Sequence, residues 1–321
     1  MPRTPLAFCI TLAMLAQSFF VWGNEPVSAL DLLKRDNKDL AQTLAEARTA
    51  YESPDLFALK NGIVRLEKAI DAQPKPGQLA ELKYWLGRLY RKDHRDDAAI
   101  LAFTDALILG QENPAILPLV RKDLADLYFG LHYYDEAGGL YRRIVEAEPS
   151  NLVARGNLGI CLEQLGFYDL AINELQQVVK LEPGNYFAQY NLGLALVAKQ
   201  QYLPAKQCFE KAFKASKDDK EKLSMALLGL SRTACGLEQA AEARRLVDRA
   251  IAMTPQNHYA YLFSARLYQD QKEPARAYEE VRKAARLAPK DPAVREALSS
   301  VLQNAVPNNR SLAQKASPLP I

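Results

Sequence analysis

The chain repeats itself every 34 residues, and a period of that length restricts a fold more than any single motif does. Six units start near Ala80, Pro118, Leu152, Tyr186, Ser224 and His258. At the twentieth position each carries alanine: Ala99, Ala137, Ala171, Ala205, Ala243 and Ala277. The eighth is small throughout (Gly87, Ala125, Gly159, Gly193, Ser231, Ala265), and the seventh is leucine in every unit but the last, where Ser264 stands. Larger apolar groups fill the eleventh position (Tyr90, Leu162, Tyr268) in every unit but the fifth, where Ala234 stands, and the twenty-fourth (Phe103, Leu175, Phe209). Spacings of three and four put positions seven, eight and eleven on one face of a first helix. Positions twenty, twenty-four and twenty-seven fall on one face of a second. Each unit is expected to be an antiparallel helical hairpin, its small eighth residue letting the helices approach against the alanine.

Punctuation agrees with this. Pro149, Pro183, Pro255 and Pro289 share position thirty-two, where a missing amide proton and a ring clash end the second helix. Two residues later, Asn151, Asn185, Asn257 and Asp291 supply side chains suited to cap the next helix. The offset is 38 residues between units one and two and between units four and five. Four extra residues are about one helical turn, so each insertion predicts a helix lengthened by roughly 6 Å.

These residues resemble the tetratricopeptide repeat family, most clearly in Asn157-Leu158-Gly159 through Pro183 and Asn191-Leu192-Gly193 through Phe209. The resemblance covers residues 80–291 and departs at Gln111 and Lys217, which replace the terminating proline, and at Ile144 and Val178, which replace a small residue. It implies an all-α, right-handed superhelical solenoid of helix hairpins. Residues 24–79 read as irregular N-terminal helices and a degenerate repeat, with Val27–Tyr51 as first helix and Leu56–Ala72 as second. Residues 292–305 read as a capping helix over the last apolar face. Residues 306–321, with three prolines and no apolar period, read as a disordered tail.

Residues 1–23 have the form of an export leader: Arg3, an apolar run from Leu6 to Val21, and a cleavage site at Val21-Trp22-Gly23. The protein is expected to be exported, periplasmic or secreted, after cleavage near Gly23. Retention as an uncleaved anchor is the alternative membrane contact, although the run contains Gln17 and Ser18 and falls short of the ~20 residues a span needs. Cys161, Cys208 and Cys235 all fall in helical segments and are expected to serve as small apolar groups, not as a disulfide framework.

Forty-one basic residues against 38 acidic ones leave a formal charge of +3, which gives no reason to expect nucleic acid as a partner. His94, His132 and His258 lie in three different units with no metal-ligand spacing. No catalytic constellation, phosphate loop, metal site, cofactor or small-molecule substrate is expected. Gly138 and Gly139, inside a second helix, permit a close approach or are tolerated weak points.

The family resemblance implies that positions two, five, six, nine, twelve and thirteen of the first helices line a concave groove that binds another polypeptide. Here those positions are Phe129, Asn157, Ile160, Phe187, Tyr190, Asn191, Leu194, Val197, Met225, Leu228, Arg232, Tyr259, Leu262 and Arg266, with Arg88, Arg91 and Lys92 on the rim. So apolar a wall calls for a cover. The expected function is a non-enzymatic scaffold or adaptor of the cell envelope, binding a helical or extended segment of an envelope or secreted protein. The alternative is a self-associating structural protein whose groove is covered intramolecularly. Asn157 and Asn191 match asparagines with which chaperone-binding members hold a carboxylate. Gly156 and Ile160 do not match the basic companions, so that ligand is not expected.

Overall fold

The computed structural model describes residues 29–72 and 74–305. The leader read at 1–23 and the tail read at 306–321 lie outside the described residues. Among these there are fifteen α-helices and no strand. Two helices precede the first full unit, α1 (Ala29–Glu52) and α2 (Leu56–Asp71). Six hairpins follow: α3 (Pro76–Lys92) with α4 (Asp96–Leu109), α5 (Leu117–Gly130) with α6 (Tyr134–Ala147), and α7 (Leu152–Gln164) with α8 (Tyr168–Leu181). Then come α9 (Tyr186–Ala198) with α10 (Tyr202–Ala215), α11 (Lys220–Gly236) with α12 (Ala240–Met253), and α13 (His258–Asp270) with α14 (Pro274–Leu287). The last helix, α15 (Pro292–Ala305), packs on α14. Each helix packs on the next, and the chain is a solenoid of hairpins. None of the described helices is long and apolar enough to cross a membrane.

The repeat explains the core. All six alanines at position twenty are fully buried, and so, to within 2%, are Phe103, Tyr141, Leu175, Phe209, Val247 and Val281 at position twenty-four. Burying each of the larger side chains contributes on the order of 1.5–3 kcal/mol. The small eighth residue makes room mainly for position twenty-four, which corrects the expectation that the alanine is its chief neighbour. A methyl on Gly87 would sit 2.7 Å from the Phe103 ring, on Gly159 2.6 Å from Leu175, and on Gly193 2.8 Å from Phe209. In unit five, though, Ser231 does reach the alanine, its Oγ donating to the Ala243 carbonyl at 2.8 Å.

The links between helices are of two kinds. Inside every hairpin the fifteenth residue is left-handed: His94, His132, Gly166, Gln200, Glu238 and Lys272 all have positive φ. The amide of the sixteenth then donates to the carbonyl of the eleventh, as in Arg95 to Tyr90 and Gln201 to Leu196, which ties off the end of the first helix. Between hairpins, Asn151, Asn185 and Asn257 accept from the amides of Ala154, Ala188 and Tyr259, and Asp291 accepts from that of Ala293. The 38-residue offsets diverge. At the second, α11 is 17 residues long, one turn longer than its neighbour α9 at 13. At the first, the expected helix extension does not occur: the extra residues form two 3-10 turns, Gly110–Glu112 and Pro114–Ile116, because Pro114 interrupts the helical hydrogen bonds.

Cys161 and Cys208 are buried, Cys235 is half-buried, and all three thiols are free. Burial pushes the Cys161 thiol up to about 12, which leaves it unreactive at neutral pH. Gly138 approaches the next hairpin, where a methyl would meet the Cys161 Cβ at 3.3 Å, whereas Gly139 faces open space.

Candidate functional site

Several first helices touch their counterparts in the next unit, α3 with α5, α7 with α9 and α9 with α11, and α13 touches the capping helix α15, so that they line one wall. In its carboxy-terminal half the wall hollows into an open groove of about 990 Å³, from Tyr190 on α9 across α11 and α13 to α15. Glycines shape the floor. Side chains at Gly229 and Gly236 would collide with the rings of Phe209 and Tyr202, so α11 can lie close on unit four only because these positions are bare.

Eight of the sequence-predicted residues converge there: Tyr190, Val197, Met225, Leu228, Arg232, Tyr259, Leu262 and Arg266. The others stand elsewhere. Phe129 packs edge-on against Tyr134 and Tyr141. Asn157 donates from Nδ2 to the Tyr141 hydroxyl at 3.0 Å, and Asn191 donates to the Phe187 carbonyl at 2.8 Å, so neither amide is held out for a ligand. Ile160 is half-buried, and Leu194 packs on the cluster around Leu192 and Phe209. Phe187 is 61% exposed but outside the groove.

Sequence reasoning missed Gly229, Cys235, Gly236, Phe263, Gln269 and Asp270, although they occupy positions six, twelve and thirteen of their units. It also missed the contribution of α15: Ala293, Glu296, Ala297 and Ser300 line the groove. Their i, i+3, i+4, i+7 spacing was the available signal, since it marks one helical face. Tyr202, from a second helix, carried no such signal.

Charge divides the wall in two. At the amino-terminal end the basic groups are engaged internally. Arg88 lies 3.4 Å from Asp123 with its guanidinium 3.9 Å above the Tyr51 ring, Arg91 donates to the Asp123 carbonyl, and Lys92 donates to the carbonyls of Tyr51 and Ser53. Tyr84 donates to Asp123 at 3.0 Å, its phenol pushed up to about 12 first by burial and then by that carboxylate. Asp126 accepts from Tyr141 at 2.7 Å and from Lys122 at 2.8 Å. In the groove, by contrast, Arg232 and Arg266 are exposed, and neither forms an ion pair among the described residues. Arg232 is steadied 5.9 Å from the centre of the Phe263 ring. Burial pushes the Tyr190 phenol and the Glu163 carboxyl up, and the charge of Arg232 opposes both shifts. Among the described residues no group of three His, Cys, Asp or Glu side chains is placed to hold a metal ion.

Against known families, tetratricopeptide repeat models match residues 122–175, 162–219 and 236–301, together half of the chain. The chain belongs to the tetratricopeptide repeat family. Among solved structures it is similar to a tetratricopeptide repeat protein from Parabacteroides merdae, with TM-score 0.65 and 18% identity over 81% of this chain and 99% of that one. A tetratricopeptide repeat protein from Thermus thermophilus follows at TM-score 0.53, with 20% identity over 58% of this chain and 99% of that one. PilW, a type IV pilus biogenesis factor, matches at TM-score 0.54 with 18% identity over 69% and 99%. At such identities the likeness is one of fold. No curated protein sequence matches the chain. Proteins of this repeat family are scaffolds for other polypeptides, and a protein partner follows for this member.

Proposed function

We propose that this tetratricopeptide repeat protein is a non-enzymatic adaptor of the cell envelope that holds a segment of another exported polypeptide in the groove between α9 and α15. The observation that carries the reading is the groove itself. It is about 990 Å³ of open concavity on a helical wall, lined by half-exposed apolar groups and by two arginines that form no ion pair among the described residues. Exposing such a surface to water costs free energy, which is recovered when an apolar segment covers it. The envelope setting rests on the leader at residues 1–23, not on the likeness to PilW, which concerns the fold.

Met225 and Leu262 line the groove and are only half-buried, so Met225→Asp with Leu262→Asp spoils the lining with little cost to the core. The double variant, shown by circular dichroism to keep its helix content, is expected to lose at least ten-fold in affinity for whatever partner the parent retains from envelope extract. Equal retention would move the working surface off the groove. Amino-terminal sequencing of the protein from fractionated cells is expected to begin near Asn24; a sequence beginning at Met1 in the cytosolic fraction would overturn the envelope assignment.

A further inference from the structure

Arg232 and Arg266 occupy the same ninth position on adjacent first helices, both exposed and both lining the apolar groove. In the free protein, water satisfies their guanidinium groups. A ligand that covers the groove strips that water away, and an uncompensated buried charge is costly. A carboxylate restores the lost interaction, because it meets a guanidinium with two charge-assisted hydrogen bonds. The acidic groups nearby do not supply this. Asp270 lies one turn along α13 and Glu296 on α15, both lining the groove, and Glu163 on α7 is within reach of the field of Arg232, yet none forms an ion pair with either arginine. Asp270 and Glu296 instead make the α15 end of the groove unfavourable to acidic groups.

On the reading that the groove holds a polypeptide, we propose that its occupant is an extended apolar segment of a partner protein with polarised charge. It carries two carboxylates set against Arg232 and Arg266 and a basic group that meets Asp270 and Glu296. In an extended chain side chains an even number of residues apart share a face, so acids two apart, about 7 Å from one another, can both meet the wall. The chain's own flanks do not fit. Residues 306–321 contribute Arg310 and Lys315 and no acidic side chain, and residues 1–28 contribute only Glu25.

A random dodecapeptide display library panned on the full chain tests this. Expected are apolar sequences with two acidic residues an even number of positions apart and a basic residue at one end. Synthetic copies with both acids changed to glutamine should bind at least ten-fold more weakly. On the Arg232→Glu, Arg266→Glu variant the acidic positions should switch to lysine or arginine. No acidic excess, or the same sequences from both proteins, overturns the charge pattern while leaving a peptide groove in place. Enrichment that survives Met225→Asp with Leu262→Asp, or no enrichment on any form, overturns the groove reading as well. A concentration-dependent doubling of mass in light scattering, lost in the arginine variant, gives the groove to a second copy and overturns the proposal.

Discussion

All six hairpin turns pass through a left-handed residue at position fifteen, yet glycine serves at only one of them, Gly166. A side chain in that conformation costs about 1–2 kcal/mol, and introducing glycine loosens the unfolded chain, which takes back part of the gain. Gln200→Gly and Glu238→Gly are therefore each expected to stabilise the protein by about 0.5 kcal/mol. Gly166→Ala should destabilise it by about 1 kcal/mol. Urea unfolding at constant slope measures both signs, and a stabilised Gly166→Ala would refute the account. The role of position fifteen was hard to read because His94, His132, Gln200, Glu238 and Lys272 share no chemistry. Two histidines that offered no metal spacing turn out to be backbone residues of a turn. Asn157 and Asn191 misled for a related reason: an asparagine's register is visible in sequence, but the Tyr141 hydroxyl and Phe187 carbonyl that engage these two are not.

Helices and their hairpin pairing were legible because periodicity and capping chemistry act over short stretches of chain. The two insertions show where that ended. Both are four residues long, but Pro114 turned one into 3-10 turns, while the stretch before α11 holds no proline after Pro204 and simply extends the helix. At the carboxy-terminal end, α15 is docked by a polar cluster: His258 Nε2 stands 2.8 Å and the Tyr259 hydroxyl 3.3 Å from Asp291 Oδ2, and Asp291 also caps α15. Burial pushes the Asp291 carboxyl up, but the Ala293 amide, His258 and Tyr259 together push it down further, to a net value below the ordinary 3.8. A carboxyl depressed by folding contributes stability that is complete above its unfolded value. That stability is lost as pH falls through the folded value. The stability gap between the chain and Asp291→Asn should accordingly close as the pH drops below about 4. A gap that stayed open well below about pH 3 would show that the Asp291 carboxylate is not what holds α15.

The solenoid as a whole was readable from its period, since a 34-residue repeat admits few other folds. The groove's extent was not, because it depends on which polar groups on the wall satisfy each other across units, and that emerges only in three dimensions. Cooperativity belongs to this scale too. Phe209 is fully buried and is the nearest neighbour of both Gly193 on α9 and Gly229 on α11, so one ring joins units four and five. Phe209→Ala should cost about 3–5 kcal/mol and split unfolding into two transitions, the amino-terminal units separating from units five and six. A single transition would show that the joint lies elsewhere. The groove, meanwhile, is assembled from rows, one from each of α9, α11, α13 and α15, and helices in such an array touch only near neighbours. Copying one hairpin within the gene would thus add a row, lengthening the groove by about one helix spacing of 8–10 Å without rewriting any core. What a descendant of this array can hold would then change by duplication of whole hairpins, with the ninth position of each copy free to diverge.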